Sequence, residues 1–551
     1  MGGIPGNVAG WMKKHPHRPS VQSLLWALFI LWTVQLSIWL IRDSILPGGL
    51  VSWDDYERCA WGANIWHDLR HADLGQLWLH THAQTIWPFL HSWLTGVLFC
   101  LFSPSLPAAR MLSLFAFAGS AILYLFFYAE EKHEGWLASV VAWFLFITSP
   151  YTRLYAVSVM SELPGLFLVL FVLYTLPPPD APPRRSLWPA IGLTLLFYYK
   201  YNFAFLTYAG VFLSVLFCGP HPLRRLRDPA NRLLLGLPLL LLLLWLLPHI
   251  EDKVGGLFQF AVNNPARRIP LSLSSLLYYP LEIPNTYFAA AWVFPLVMFF
   301  AVLAFALRSI SLSHPLAVCF FVHFLATEAH PMKDIRFMFI PMGLLFLLAG
   351  KGVCAAWSWA ASKKIRFELI HPAAVCLVLF LLFAPLTAFL YTRPNVNLNQ
   401  AHLAAIYTVV QQWQEEDRTA FLISHDYIVP PAFNFYLITG LDRLQSLGNG
   451  EPQRWNFLFL FQSTSEWNTL SPDDRVRHLR HLLFINHTNK VIVISSTLEQ
   501  IVLYYDALFG ASHAYAQLMP SLPEFRLVSE RRFPRTALVL QVFALRPPGA
   551  L

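Results

Sequence analysis

Asp54 and Asp55, adjacent in VSWDDYERCAWGANIW, and Glu162, in VSVMSELPGLFLVLF, place carboxylates at the edges of apolar stretches. A charged side chain near hydrocarbon costs roughly 2.5–3.5 kcal/mol on insertion scales, so such acids are as a rule paired, water-facing or functional. A carboxylate held on a helix end can serve as a general base if it reaches the proton of an incoming nucleophile. Plain structural roles compete with that chemistry. An aspartate ahead of an amphipathic run is an ordinary N-cap. Glu162, between Ser161 and Pro164, suits the first turn of a helix, where the dipole favours an acid.

Cations stand at two further places. Lys200 and Tyr201 interrupt the apolar run LLFYYKYNFAFL. A lysine there can snorkel to the interface, or hold an anionic lipid headgroup. In TEAHPMKDIRFMFIP, Glu328, His330, Lys333, Asp334 and Arg336 crowd one short segment between apolar spans. A solvated loop with internal ion pairs is the simple explanation. It accounts poorly for Arg336 lying directly against Phe337-Met338-Phe339, whereas a guanidinium gripping a phosphate in bidentate fashion fits that setting. His80 and His82, in HTH, present two imidazoles to a divalent cation. No third ligand follows at a ligand spacing, so no metal site is assigned and these two remain the only candidates.

The elements that must position these groups are membrane helices. Of 551 residues, 56% are hydrophobic and 13% charged, which describes a polytopic membrane protein. The net charge of +8 comes from basic clusters between apolar runs, as the positive-inside rule predicts, and does not point to nucleic acid. Six cysteines form no CxxC pair, and none follows Cys376. A crossing needs about 20 apolar residues; the candidates are 22–42, 107–128, 136–151, 161–177, 187–199, 202–218, 232–249, 288–306, 314–327, 337–359 and 371–391. Lys13, Lys14, Arg18, Arg184, Arg185, the Arg224–Arg232 cluster, Arg308 and Lys363–Arg366 all fall on one side only if 85–103 is a juxtamembrane helix. That parity puts the outer loop 43–106, Glu162, the loop 250–287 and 328–336 on the opposite face.

From residue 392 the apolar runs shorten to strand length, as in FLIS, VIVIS and ALVLQVFAL, with helical patterns at 401–416 and 498–510 between them. The expected architecture is an α-helical polytopic membrane protein of about eleven transmembrane helices plus juxtamembrane helices over 1–391. A C-terminal extracytoplasmic α/β domain follows over 392–551.

The order of these motifs resembles the GT-C superfamily of integral membrane glycosyltransferases: an acidic pair after the first span, a later acid, a Lys-Tyr, and H-x(5)-R-F-x(3)-P. It is nearest to the protein-mannosyltransferase and lipid A aminoarabinose-transferase branch, and HPMKDIRF is also similar to mannosyltransferases of another GT-C branch. The resemblance implies that Asp54 is the catalytic base, Asp55 its partner, and Glu162 the second site acid, where many members of that branch have Asp. Lys200 and Tyr201 match the family's Lys-Tyr at the lipid phosphate, and His330, Lys333 and Arg336 lie in the late loop that helps hold the leaving phosphate. The implied donor is a polyprenyl-phosphate sugar and the acceptor a lipid, glycan or protein at the extracytoplasmic face, by a metal-optional inverting displacement. Cations would stabilise charge on the departing phosphate.

A transporter or flippase of lipid-linked or small polar substrates is the alternative. It predicts pseudo-repeated halves, which the sequence does not display. A receptor or assembly scaffold would leave Asp54, Glu162 and Lys200 idle.

Overall fold

The structure is a computed structural model that describes residues 21–46, 53–84, 88–129, 131, 135–178, 182–217, 222–251, 272–330, 333–362, 372–392, 420–424, 470–485, 488, 490–496, 517–533 and 538–546. The first helix, α1 (Val21–Leu40), ends in a π turn at Ile41–Ile45. Three helices follow before the chain re-enters the bundle: α2 (Trp53–Arg70), α3 (Leu74–His82) and α4 (Leu90–Phe102). Next come α5 (Leu106–Phe126), α6 (Gly135–Thr148), the short α7 (Pro150–Ala156) and α8 (Glu162–Thr175). The bundle continues through α9 (Leu187–Tyr199), α10 (Tyr201–Phe217), α11 (Pro222–Leu226) and α12 (Pro229–Leu246). It closes with α13 (Leu273–Thr286), α14 (Val293–Ala306), α15 (Pro315–Ala329), α16 (Phe339–Ser362) and α17 (Pro372–Thr392).

By length and composition, Ser23–Ile45, Leu106–Phe126, Pro229–Leu246 and Ile335–Ser362 can each cross a membrane, and α6 with α7 makes a fifth, bent candidate. Other apolar helices are shorter, among them α8, α10, α14 and α15. Fourteen residues of α8 rise only about 21 Å, against roughly 30 Å of hydrocarbon. The bundle thus mixes full-length and short apolar helices, in keeping with the uneven lengths of the candidate spans in the sequence. Helix α4, in the stretch 85–103, has 13 residues and packs along α2. Gly62 and Gly96 allow that approach: a Cβ on Gly62 would fall 2.5 Å from Thr95 Cγ2, and one on Gly96 would fall 2.8 Å from Ile65 Cγ2.

Two sequence expectations need correction. The stretch 136–151 is not one straight span, because the chain turns through 69° between α6 and α7. Pro150 explains the break, since proline forces its predecessor out of the helical region and Ser149 is extended. The stretch 250–287 is not loop throughout: α13 occupies its end, started by a capping box in which Ser272 and Ser275 bond each other's backbone N–H.

Polar ties fix helix against helix where both partners are shielded from water. Trp143 Nε1 donates to Thr33 Oγ1 at 3.1 Å, and the Tyr124 hydroxyl donates to the Gly343 carbonyl at 2.8 Å. His323 Nε2 lies 3.0 Å from Thr207 Oγ1. In an apolar surround such bonds add about 1 kcal/mol and select one helix register. Outward-facing Leu31, Leu240, Leu244, Phe299, Val302 and Leu381 are exposed, as on helices that face lipid.

The helix directions give the bundle two unlike ends. α8 runs from Glu162 away from the Lys200 break, α9 returns to it, and α10 leaves again, with the Phe197 and Phe205 rings 5.1 Å apart across the hairpin. α12 comes back beside them, where Trp245 Nε1 donates to the Tyr201 hydroxyl at 2.9 Å. α15 runs antiparallel to α10, which brings His330 to the same end. The far end carries Arg184, Arg185 and the Arg224–Arg232 cluster.

Beyond the bundle lies a four-stranded mixed sheet in the order β1 (Ala420–Ser424), β2 (Lys490–Ser496), β4 (Leu538–Leu545), β3 (Phe525–Phe533). β1 and β2 are parallel, and the other pairs are antiparallel. Helix α18 (Pro472–Ile485) lies in the β1–β2 connection, its Leu479 and Leu483 packing with Val491, Val493 and Phe543. The expected strands at FLIS, VIVIS and ALVLQVFAL are present. The helical patterns at 401–416 and 498–510 lie outside the described residues. β3 escaped the sequence reading because FRLVSERRF is rich in charge, a composition that protects a sheet edge from pairing with another chain.

Candidate active site

α2 brings its first two turns to the start of α8. Asp55, buried to 1% exposure, accepts the Val159 backbone N–H on Oδ1 at 2.7 Å. One turn on, Arg58 Nη2 donates to Ser161 Oγ at 3.3 Å. Both bonds grip the non-helical segment 157–161 that delivers Glu162. Asp54 sits in the same first turn of α2; its side chain lies outside the described residues.

Lys200 is the residue at which the α9–α10 hairpin turns. Its backbone is extended (φ −159°, ψ 108°), which ends α9 and lets α10 begin at Tyr201. From this break its ammonium reaches Glu162 Oε1 at 2.7 Å, with both side chains buried. Glu162 Oε2 is buried and has no hydrogen-bond partner among the described residues. The Lys200 ammonium also sits 4.3 Å from the centre of the Phe203 ring. Arg58 and Arg336 are both within electrostatic reach of Glu162, and Arg58 also reaches Lys200, Tyr199 and His91. One carboxylate therefore stands among three cations.

A wall of tyrosines connects this centre to the late loop. Tyr279 donates to the Asp334 carbonyl at 3.3 Å and Tyr287 to the Ile335 carbonyl at 2.9 Å. The Tyr151 ring lies tilted against Tyr287 at 4.8 Å, and Tyr155 lies edge-on to Phe339 at 4.9 Å. These contacts hold the short 3-10 turn Ile335–Met338, whose N-cap is Asp334. Arg336 pairs with Asp334 at 2.6 Å and keeps a quarter of its side chain exposed.

The remaining sequence candidates fall elsewhere in the geometry. The Tyr201 hydroxyl faces Trp245 and not the Lys200 ammonium. Lys333 is buried against its own segment: its ammonium bonds the Glu328 carbonyl, lies 3.7 Å from the Glu328 carboxylate and covers the Tyr279 ring. His330 caps α15 and meets the Phe337 ring at 5.6 Å. His80 and His82 do not converge. His80 Nδ1 lies 2.6 Å from Asp68 Oδ2, while His82 stacks on Trp245 and meets the Trp78 ring at a tilt. Among the described residues no three metal-ligating side chains gather.

Arg58 and the tyrosines of PYTRLYA and LLYYPLEIPNTYF were missed by sequence reasoning. Arg58 carried a signal, being one helical turn beyond Asp54 and Asp55. Burial raises the thiol of its neighbour Cys59 well above its usual range, and the Asp55 carboxylate adds to that effect.

No protein-family model matches the sequence, and no curated protein matches it. Solved structures do. ArnT from Cupriavidus metallidurans in the apo state superposes with a TM-score of 0.58 at 15% identity, covering 97% of this chain and 98% of that one. The chain has the GT-C fold. ArnT from the same organism bound to undecaprenyl phosphate gives 0.56 at 13% identity over 94% and 97%. The GT-C oligosaccharyltransferase of Archaeoglobus fulgidus, tethered to an acceptor peptide containing the NVT sequon, gives 0.50 at 11% over 92% and 72%. With its apolar helices, the GT-C fold makes this an integral membrane protein.

Proposed function

We propose that the protein is a GT-C membrane glycosyltransferase. It moves a sugar from a polyprenyl-phosphate donor to an acceptor hydroxyl or amine at the extracytoplasmic rim of the bundle. The observation that carries the reading is the buried Lys200–Glu162 pair with Arg58 and Arg336 in reach of the same carboxylate. A cation cluster of this kind suits a leaving phosphate, whose charge grows as the glycosidic bond breaks. Support for a lipid-phosphate donor comes from the neighbouring ArnT structure, which holds undecaprenyl phosphate.

In the proposed reaction the acceptor attacks the anomeric carbon in line, and the bond from that carbon to the phosphate oxygen breaks. The prenyl phosphate leaves with the electron pair, and the acceptor proton passes to Asp54. One displacement inverts the anomeric centre. Asp55 and Glu162 are positioning residues in this scheme: the first ties α2 to residue 159, and the second orders Lys200. Arg336, partly exposed, meets the phosphate. The clustering of arginines at the far end supports a cytoplasmic placement of that end, with residues 392–551 forming a domain on the opposite side.

The test is to incubate the purified full-length protein with a panel of polyprenyl-phosphate sugars and follow prenyl phosphate release. Release that depends on Asp54 supports the reading. Undiminished release by Asp54→Asn removes Asp54 from the mechanism, and release with no sugar reaching any acceptor rejects a transferase.

A further inference from the structure

Around the Lys200–Glu162 pair, three buried polar atoms lack a hydrogen-bond partner among the described residues: Glu162 Oε2, the Tyr199 hydroxyl and His91 Nε2. His91, in the first turn of α4, is 1% exposed, and Tyr199, the last residue of α9, is 2% exposed. Neither has a role in the transfer scheme above.

The three groups share one locality. The His91 and Tyr199 rings lie 5.4 Å apart across the contact between α4 and α9. Tyr199 directly precedes Lys200 and is within electrostatic reach of Glu162 and Arg58. His91 is within reach of Arg58 and Lys200. On the His91 ring, Nδ1 lies 3.5 Å from Thr95 Oγ1 one turn along α4, so Nε2 is the polar atom that remains.

A buried polar atom left unmet costs about 1–3 kcal/mol. Three in one place call for a shared occupant, and their chemistry selects it. A carboxylate oxygen only accepts, a phenol hydroxyl both donates and accepts, and an imidazole nitrogen does one or the other according to its tautomer. An anion would be repelled by the Glu162 carboxylate, and a cation by the Lys200 ammonium and the Arg58 guanidinium. A neutral molecule with two donors and two acceptors satisfies all three atoms without adding charge. Buried waters make about three hydrogen bonds, the number offered here.

We propose that a buried water bridges His91 Nε2, the Tyr199 hydroxyl and Glu162 Oε2, which makes His91 and Tyr199 positioning residues for Glu162. With Oε2 tied by the water, Oε1 is held toward the Lys200 ammonium. The effect on turnover rests on the transfer reaction proposed above, in which Lys200 belongs to the cation cluster at the leaving phosphate; the water itself does not.

The test combines a map and a mutant cycle on the full-length protein. A crystal or cryo-electron microscopy structure that orders buried water should show one about 3 Å from each of the three atoms. A direct hydrogen bond between any two of them, with no water, overturns the bridge. Tyr199→Phe removes the hydroxyl and keeps the ring, and His91→Leu removes Nε2. Each should lower kcat for prenyl phosphate release about tenfold and change the donor KM less, because Lys200 acts on charge that grows in the transition state. The double variant should lose about as much as either single one, since either change releases the water; losses that multiply overturn the shared site. His91→Gln returns a polar atom and should restore most of kcat. Wild-type kcat in both single variants, or equal losses in His91→Gln and His91→Leu, overturns the positioning role. If the wild-type protein releases prenyl phosphate from no donor, the transfer reading fails by itself. The map and the same cycle read in thermal unfolding then decide the water, non-additive losses upholding it and additive losses rejecting it.

Discussion

Lys200 Nζ lies 2.7 Å from one oxygen of Glu162, and the other oxygen of that carboxylate is buried without a hydrogen bond among the described residues. The pair joins the break between α9 and α10 to the first residue of α8. Taking two charges out of water is costly, and their mutual attraction offsets that cost only while both are present.

Removing one partner should therefore be worse than removing both. Lys200→Met leaves a buried carboxylate and should lower stability by about 3–5 kcal/mol, with Glu162→Gln acting in the same direction. The double variant should recover most of that loss in thermal unfolding but not the release of prenyl phosphate. Recovery of both would reduce the pair to a structural role.

The two adjacent aspartates should separate by readout. Asp55→Ala leaves the Val159 N–H without its acceptor and should cost about 1–3 kcal/mol. Loosening of α2 can be followed at Cys59, whose buried thiol should resist alkylation in the native protein. In a variant with Cys59 as its sole cysteine, Asp55→Ala should speed maleimide labelling. Asp54→Asn should leave labelling and unfolding unchanged while abolishing transfer. Fast labelling in Asp54→Asn would move the structural role to Asp54.

The sequence disclosed charge more readily than geometry. Glu162, Lys200 and Arg336 stood out because an ion beside an apolar run is costly, and the fold brings them within electrostatic reach of one another. Lys333 had the same signal and Tyr201 stood beside it at Lys200, yet their polar atoms face Glu328 and Trp245. Neighbours in sequence on either side of a helix break need not face one way. The tyrosine wall was invisible for a related reason: a tyrosine among apolar residues reads as packing until its hydroxyl is seen on a distant carbonyl. For the fold, the lengths of the apolar runs already marked several spans as short for a full crossing, whereas the bend at Ser149 emerges only from the coordinates. β1, β2 and β4 were legible as apolar runs of strand length, while the charged edge strand β3 was not.

The α2–α4 crossing should tolerate no added methyl. A Cβ on Gly96 falls 2.8 Å from Ile65 Cγ2 and 3.1 Å from the Gly62 carbonyl, so Gly96→Ala must push two helices apart. Overpacking of this kind costs about 1–3 kcal/mol. Because α2 also carries Asp54, Asp55 and Arg58, kcat/KM should fall further than unfolding alone explains. An alanine variant with wild-type turnover would show that the crossing does not set the site.

Arg336 should act on the donor more than on the chemical step. It is held by Asp334 and by the backbone that Tyr279 and Tyr287 anchor, and it is the one partly exposed cation of the three around Glu162. Arg336→Lys keeps the charge but removes the planar fork that meets a phosphate through two parallel bonds. The expected result is a KM for the polyprenyl-phosphate sugar raised about tenfold, with kcat changed less, and Arg336→Ala should be worse on both. Lys333→Ala provides the contrast. Its ammonium is spent on Glu328 and Tyr279, so its removal should lower thermal stability while leaving the donor KM near wild type. If Lys333→Ala raises the donor KM as much as Arg336→Lys does, the phosphate contact belongs to the whole loop and not to the guanidinium.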